Sequence, residues 1–282
     1  MAPAVVEGAA AVHHVRGGFV DELSAELLDA VARDEIAALG GGRVIDTAKA
    51  VAAARGGRAM AVPTTLSGAE MTRIHRLPTG VDAARVRCAV VVCDPALAAS
   101  QPVAELAASA LNGLGHAAEA PCTPKANPVA TLAALRGGEL LVRAFDGATP
   151  DREALALGAL LAGYSIDSAR YGLHHVLSQT LVRLAGVGHG PANATLLSHT
   201  LGALEWRFPA QHAALAGALG EDPAEAAARL CRLTGASRLR DLGVDPDDLP
   251  RCADAGAERP ELDLTPPRAD RAELLAIYEN AY

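Results

Sequence analysis

Asn112 and three histidines, His116, His175 and His189, are the residues whose types and spacing could do chemistry in this 282-residue chain. Asn112 and His116 are four residues apart, so a helix would place both side chains on one face. His175 lies in a second helical segment, and His189 stands between two glycines, where the backbone can turn an imidazole inward. Imidazole nitrogens and amide oxygens either ligate metal ions or bind an anionic substrate. Both alternatives remain open from the spacing alone.

The other histidines fit a plainer interpretation. Most histidines on helices are packed or surface residues rather than ligands, and we assign His13, His14, His75 and His212 to that class. His174 precedes His175 directly, and one helix can direct only one of two adjacent side chains into a given site.

A second group of candidate residues surrounds the glycine turn Gly40, Gly41 and Gly42. The turn follows an apolar segment and precedes a helical one, so its N–H groups and the helix dipole could bind a phosphate, with Arg43 adding a charge. Many strand-to-helix connections also need glycine, so the turn alone is weak evidence.

Residues 63–70 form a second polar loop after the next apolar segment. The hydroxyls of Thr64 and Thr65, together with Gly68, predict a phosphate or ribose contact. The alternative is a polar turn in which Ser67 caps a helix and Glu70 completes a capping box. Ligands collect at the carboxyl ends of parallel strands, so two such loops side by side favour a binding site.

The elements that must position these residues change type along the chain. Short apolar runs at residues 35–39, 58–62 and 86–93 predict strands buried on both faces of a parallel sheet. Residues 1–33 predict one further strand and a helix over residues 21–31. Helical periodicity follows over residues 102–120, 127–146, 152–184, 191–202, 210–219, 223–233 and 268–281, while residues 244–250 and 265–267 read as turns or linkers.

This order predicts an α/β domain over residues 1–97 and an all-helical domain over residues 98–282. Half of the residues are hydrophobic, only 3% are aromatic and the formal net charge is −8, with a pI of about 5.6. This net negative charge argues against nucleic-acid or anionic-membrane partners. The five scattered cysteines and the lack of a signal or spanning segment predict reduced thiols in a cytoplasmic protein.

The motifs Ala-Leu-Gly-Gly-Gly, Asp-Thr-Ala-Lys, Pro-Thr-Thr, Asn-x3-His-x2-Glu, Gly-x-His-His and Gly-His-Gly occur in this order. In that order and spacing they resemble the iron-containing alcohol dehydrogenase family, and most of all its maleylacetate reductase branch. The resemblance runs from about residue 34 to the end. It implies a dehydroquinate synthase-like fold, with a Rossmann-like parallel sheet followed by a helical domain.

The resemblance also implies cofactors and roles. The cofactor would be NAD or NADP, with Gly40, Gly41 and Gly42 facing its pyrophosphate. Asp46, Lys49, Thr64, Thr65 and Gly68 would lie along it. A metal ion, Fe(II) or Zn(II), would fall on Asn112, His116, His175 and His189, and the assembly expected is a homodimer.

Three departures from the family pattern qualify this assignment. The first metal position usually holds Asp and here holds Asn112, as in the maleylacetate reductase branch, whose members are thought to work without metal. Gln179 stands where a further His commonly lies near the nicotinamide. The chain is also shorter at its N-terminus than family members, so we expect a truncated nucleotide-binding domain.

These residues predict an NAD(P)H-dependent oxidoreductase that reduces a small, carboxylate-bearing carbonyl compound. His116, His175, His189 and Gln179 would be its catalytic residues. In the absence of metal, a protonated imidazole would act as the general acid. Two alternatives remain: a non-redox relative that uses the histidines for acid–base chemistry or ligand binding, and an inactive remnant or oligomeric partner of a longer reductase.

Overall fold

The computed structural model describes residues 7–282. The N-terminal part of this chain contains a three-stranded parallel sheet. Strands β1 (Glu35–Gly40), β2 (Arg58–Pro63) and β3 (Val90–Val91) lie in that order, with β2 in the centre. Helix α1 (Val20–Leu28) precedes the sheet, and helix α2 (Gly42–Arg55) connects β1 to β2. The positions of the predicted strands at 35–39 and 58–62 and of the helix at 21–31 are therefore confirmed to within a few residues. Ala37 of β1 is exposed, however, so the prediction that β1 is buried on both faces is wrong. Residues 7–33 contain no strand, and residues 1–6 lie outside the described part.

The third predicted strand is much shorter than the sequence indicates. Only Val90 and Val91 pair with β2, although residues 86–93 are apolar enough for a longer strand. Val90 and Val92 are 52% and 48% exposed, so the prediction that this strand is buried on both faces is wrong. The reason is position: β3 lies at the edge of the sheet, and Val86 donates its N–H to the His75 ring at 3.1 Å instead of to a strand.

Helices make up the rest of the described chain. They are α3 (Pro95–Ala98), α4 (Val103–Glu119), α5 (Pro128–Arg143), α6 (Arg152–Ala169), α7 (Leu173–Ala185), α8 (His189–Arg207), α9 (Pro209–Leu219), α10 (Pro223–Cys231), α11 (Asp248–Ala257) and α12 (Arg271–Ala281).

Side-chain caps explain several helix starts. Asn127, Asp151, Asp222 and Asp270 each accept backbone N–H groups from the first turn of the helix that follows. Such caps satisfy N–H groups that have no partner within the helix. Pro128 and Pro223 add a residue that is favourable at the first helical position.

Two helix predictions are corrected. The single helix expected over residues 152–184 is broken by residues 170–172, where Arg170 has φ 71° and Gly172 brings the next helix close to Thr265. The segment 244–250 was expected to be a turn or linker, yet α11 begins inside it at Asp248.

The α/β and helical parts share packing. Leu66, from the loop after β2, belongs to the same buried cluster as Leu106, Leu141 and Leu155 of the helices. The loop is therefore fixed against the helical layer.

No helix within residues 7–282 is long and apolar enough to cross a membrane. All five cysteines carry free thiols.

Candidate active site

The two polar loops leave the same edge of the sheet and pack against each other. Gly40 is paired with Pro63, so both loops begin at one level. A Cβ at Gly41 would lie 2.9 Å from Cγ2 of Thr65, and one at Gly42 would lie 3.0 Å from Oγ of Ser67. Any side chain in the turn would push the loops apart, so this contact requires glycine.

The N-terminus of α2 faces a large cleft between the sheet and the helices. Gly41, the residue before the helix, makes no side-chain cap, and the first turn carries no acidic residue. Gly42, Arg43, Asp46 and Thr65 line the cleft. Open N–H groups, a helix dipole and a guanidinium together are suited to a phosphate. This end of the cleft therefore fits the pyrophosphate of a dinucleotide.

Lys49 departs from its predicted place along the cofactor. Its side chain is completely buried, and Nζ donates to the carbonyl oxygens of Ala69 at 2.7 Å and Thr72 at 2.9 Å. Nζ also lies 2.8 Å from Oδ1 of Asp46. A buried ammonium needs such partners. Because all three partners of Nζ belong to the protein itself, Lys49 connects α2 to the second loop instead of contacting the cleft. Thr64, also predicted as a cofactor contact, continues the strand pairing by donating its N–H to Gly40 O at 3.0 Å.

Gly68 connects the second loop to the histidines. It has φ 71°, and a Cβ there would lie 3.0 Å from Cα of Gly163 in α6 and 3.4 Å from the His116 ring. Ser67 O accepts from Nδ2 of Asn112 at 3.3 Å. The second polar loop, residues 63–70, and the imidazole cluster are thus in direct contact.

Ser67 and Glu70 match the capping interpretation only in part. Ser67 Oγ accepts the N–H of Ala69 at 3.3 Å, as a local cap does. Glu70 is instead buried, its Oε2 has no partner among the described residues, and burial raises the pKa of its carboxyl to about 7.

Asn112, His116 and His175 meet at the floor of the cleft. Asn112 and His116 lie one turn apart on α4, and the rings of His116 and His175 stack with centroids 4.8 Å apart. All three side chains are at least 93% buried. Oδ1 of Asn112, Nδ1 of His116 and Nε2 of His175 have no hydrogen-bond partner within the described chain. Buried polar atoms without partners are costly and indicate a place where a ligand belongs.

His189 is the first residue of α8 and lines the same cleft. Its side chain is open to the cleft, whereas His116 and His175 are closed in by protein. The surrounding walls still desolvate the ring and lower the pKa of its imidazole.

Glu119 is a site residue whose role the sequence did not reveal. Its Oε1 accepts from the N–H groups of Gly172 at 3.2 Å and His174 at 2.7 Å, and its Oε2 lies 2.5 Å from Nδ1 of His175. The carboxylate therefore satisfies the first turn of α7 and holds the His175 ring at the same time. Its position three residues after His116, within the Asn-x3-His-x2-Glu motif, was the available signal.

Gln179 lies on the cleft wall within a polar network that the sequence also did not reveal. Its Oε1 accepts from Nη2 of Arg259 at 3.1 Å and from the Tyr171 hydroxyl at 3.5 Å. Arg259 is paired with Glu261 at 2.9 Å, and the Tyr171 ring lies 5.7 Å from that of His175. These contacts fix the amide of Gln179 beside the histidines.

The electrostatics of the cleft differ from the sequence-based expectation of cationic imidazoles. Burial lowers the pKa of His116 well below its ordinary value and the pKa of His174 and His175 to about 3. These rings are neutral near pH 7. The positive charge comes instead from arginine and lysine, because eight such residues and three carboxylates line the cleft of about 1460 Å³. That excess is opposite to the net charge of −8 for the whole chain and favours anionic ligands.

The predicted metal ligands do not form a closed metal site as they are placed. Within residues 7–282, no three His, Cys, Asp or Glu side chains come together closely enough to hold a metal ion. The usual carboxylate position is the neutral Asn112, and the nearby carboxylate of Glu119 is occupied by His175. This donor set fits a divalent cation poorly.

Comparison with known proteins agrees with this geometry. Residues 106–282 match the "Fe-containing alcohol dehydrogenase family, C-terminal", and residues 7–72 match "Iron-containing alcohol dehydrogenase". Maleylacetate reductase of Pseudomonas aeruginosa is 32% identical over 261 residues, covering 88% of this chain and 73% of the relative. Maleylacetate reductase 1 of Rhodococcus opacus is 32% identical over 240 residues, covering 80% and 67%.

The fold agrees as well. The crystal structure of maleylacetate reductase from Agrobacterium tumefaciens superposes with a TM-score of 0.81 at 28% identity, covering 92% of this chain and 78% of that one. The fold class predicted from the sequence is therefore confirmed. From the matched sequence, the shared fold and the two adjoining loops, the chain belongs to the iron-containing alcohol dehydrogenase family and is an NAD(P)H-dependent oxidoreductase.

Proposed function

We propose that the substrate is maleylacetate or another small carbonyl compound that carries carboxylates, and that its reduction is metal-free. The excess of arginine and lysine in a cleft that also contains the histidines carries this proposal. Relatives named maleylacetate reductases support the substrate class.

The glycine end of the cleft holds the dinucleotide. The N–H groups at the start of α2 and the Arg43 guanidinium bind its phosphates, and Thr65 and Asp46 lie beside it. The nicotinamide, when bound, supplies the hydride. The close contact between Gly68 and the His116 ring then places the second polar loop, residues 63–70, next to the histidines.

The histidines act as neutral groups. His175 donates its Nδ1–H in a hydrogen bond to Glu119, so its Nε2 presents a lone pair and can only accept. His116 and His189 keep an N–H each and stabilise the negative charge that develops on the substrate oxygen, and the resulting alkoxide then takes its proton from solvent water in the open cleft. A neutral imidazole suits this role, since its pKa is held low in the desolvated cleft. Gln179 orients the substrate.

A metal has no step in this proposal, because the donor set at Asn112 fits one poorly. A homodimer is the assembly we propose, in keeping with the family pattern.

The direct test is oxidation of NADH and NADPH, followed by absorbance, with maleylacetate as substrate and acetaldehyde as an uncharged comparison. We expect turnover of maleylacetate to be strongly preferred. His189→Gln should lower kcat by about 100- to 1,000-fold, the usual effect of removing one hydrogen-bond donor to a developing oxyanion. His199→Gln is the matched control, because His199 lies on the same helix outside the cleft.

Absence of hydride transfer from both nucleotides, at millimolar concentration and with either substrate, would refute the proposal. That result would favour the non-redox alternative. Equal loss of activity in both histidine variants would instead show that the effect of His189→Gln is structural.

A further inference from the structure

Arg170 has a backbone conformation that arginine rarely adopts. It lies between α6 and α7 with φ 71° and ψ 179°, and it is the only non-glycine residue with positive φ in the described chain. This region of backbone space is essentially restricted to glycine, because a Cβ is crowded there. Such strain persists only where the surrounding structure enforces it, and it concentrates at functional sites.

Four hydrogen bonds fix the turn around Arg170 from both sides. They are Arg170 N to Ile166 O at 2.8 Å, Thr123 Oγ1 to Ala169 O at 2.5 Å, Gly172 N to Glu119 Oε1 at 3.2 Å and Leu173 N to Thr265 Oγ1 at 3.0 Å. Glycine at position 170 would satisfy the same bonds without strain. The backbone therefore gives no reason for an arginine, and the reason must lie in the side chain.

The Arg170 side chain lines the cleft and is half-buried. Among the described residues it makes no hydrogen bond and no ion pair, whereas Arg259 on the same cleft is paired with Glu261 at 2.9 Å. A partly desolvated guanidinium with its five donors open is suited to an oxyanion, above all to a carboxylate or phosphate.

The location of Arg170 favours a carboxylate at the histidine end. The next residue, Tyr171, has its ring 5.7 Å from that of His175. Lys125, also on the cleft, donates its N–H to Thr123 Oγ1 at 3.1 Å, and that hydroxyl holds Ala169 O. The phosphate-binding groups lie instead at the glycine turn, where Arg43 supplies the charge.

We propose that Arg170 binds a carboxylate of the substrate and thereby selects carboxylate-bearing substrates, with the strained turn holding the guanidinium in place. This inference rests on the proposed function, because it assigns the substrate's anionic group to one residue. Lys125 adds charge on the same side of the cleft.

Two substitutions separate the side chain from the backbone. Arg170→Gly removes both the guanidinium and the strain, while Arg170→Met removes the guanidinium and keeps the strain. Both should raise KM for maleylacetate by about 10- to 100-fold, the worth of a charge-assisted hydrogen bond. KM for the nucleotide should stay within about twofold and kcat should change much less than KM. Arg136→Met, at an exposed arginine of α5 outside the cleft, is the charge-matched control.

Thermal unfolding distinguishes a structural effect, since we expect Arg170→Gly alone to raise Tm, by about 2–4 °C. An unchanged KM in both Arg170 variants, beside an active wild type, would overturn the inference and leave the proposed function intact. An inactive wild type would refute the proposed function. The affinity for maleate, measured by calorimetry, then tests the Arg170 site directly. Tighter binding by the wild type than by Arg170→Gly supports a carboxylate site at Arg170, and equal affinity overturns it.

Discussion

Oε2 of Glu119 lies 2.5 Å from Nδ1 of His175, and the same carboxylate accepts three backbone N–H groups, those of Gly172, His174 and His175, at the start of α7. One side chain of α4 therefore sets both the position of α7 and the orientation of the imidazole. Burial raises the pKa of the Glu119 carboxyl, while the backbone N–H donors of Gly172, His174 and His175 act in the opposite sense. Changes at Glu119 should affect stability and catalysis together.

Glu119→Gln should lower kcat by about 10- to 100-fold, the usual effect of removing a group that orients a catalytic imidazole. An amide of the same shape cannot accept from all these donors at once, because one of its ends donates. Steady-state kinetics and chemical unfolding measure both effects. Thr200→Val is the control: it removes the hydroxyl 2.9 Å from Nδ1 of His174 and should leave kcat nearly unchanged. Equal kinetics for Glu119→Gln and wild type would contradict the assigned role.

His75 should make the fold sensitive to acid. Its Nδ1 faces Arg76 O at 2.9 Å and its Nε2 accepts from Val86 N at 3.1 Å, so a second ring proton would face another donor. Its pKa is lowered from 6.5 to about 4, first by desolvation. Below pH 6.5 the unfolded chain takes up a proton that the folded chain does not, so this contribution to stability is lost as pH falls towards 4.

The expected loss is about 1.4 kcal/mol per pH unit for His75. His174 and His175 act in the same direction, whereas Glu70, with its pKa raised to about 7, opposes them as pH falls. Comparison with His75→Gln isolates one residue. Urea unfolding at pH 7, 6 and 5 should show the difference in free energy of unfolding between the two proteins shrinking as pH falls. A constant difference would show that His75 titrates normally.

Asn112→Asp should create a metal site. It places an anionic oxygen beside His116, where Oδ1 of Asn112 has no partner among the described residues. Without metal the buried carboxylate should destabilise the fold. Zinc at about 100 times its Kd should then stabilise the variant by about 2.7 kcal/mol. Thermal unfolding with zinc chloride and with EDTA, together with elemental analysis, provides the measurement. Stoichiometric, tightly held zinc in the wild type would show that the neutral donor set suffices.

Gly163→Ala should separate the second polar loop, residues 63–70, from α6. A Cβ there would lie 3.0 Å from both Cα and O of Gly68, and backbone atoms cannot move aside cheaply. We expect a loss of about 1–3 kcal/mol of stability and a higher KM for the nucleotide. Gly202→Ala is the control, because the space at this α8 glycine is open and alanine should stabilise the helix by about 0.5–1 kcal/mol. Unchanged kinetics and stability in Gly163→Ala would show that the two segments are not coupled.

Local patterns in the sequence were sufficient for much of the fold. The strand, glycine turn and helix over residues 35–55 follow from apolar periodicity and from glycine's freedom, both of which act between near neighbours. The one-turn spacing of Asn112 and His116 predicts their shared face for the same reason. The edge position of β3 and the break at Arg170 could not be predicted, because both depend on partners far away in the chain.

The sequence by itself determined which residue types are available for chemistry: three imidazoles, an amide and two polar loops that follow parallel strands. Only the tertiary structure decided their states. It buries Lys49 completely and keeps the histidines neutral. It also pairs His175 with Glu119, 56 residues away, through a hydrogen bond. The physical reason is that burial and hydrogen-bond partners, which set charge and orientation, arise from helix packing rather than from local sequence.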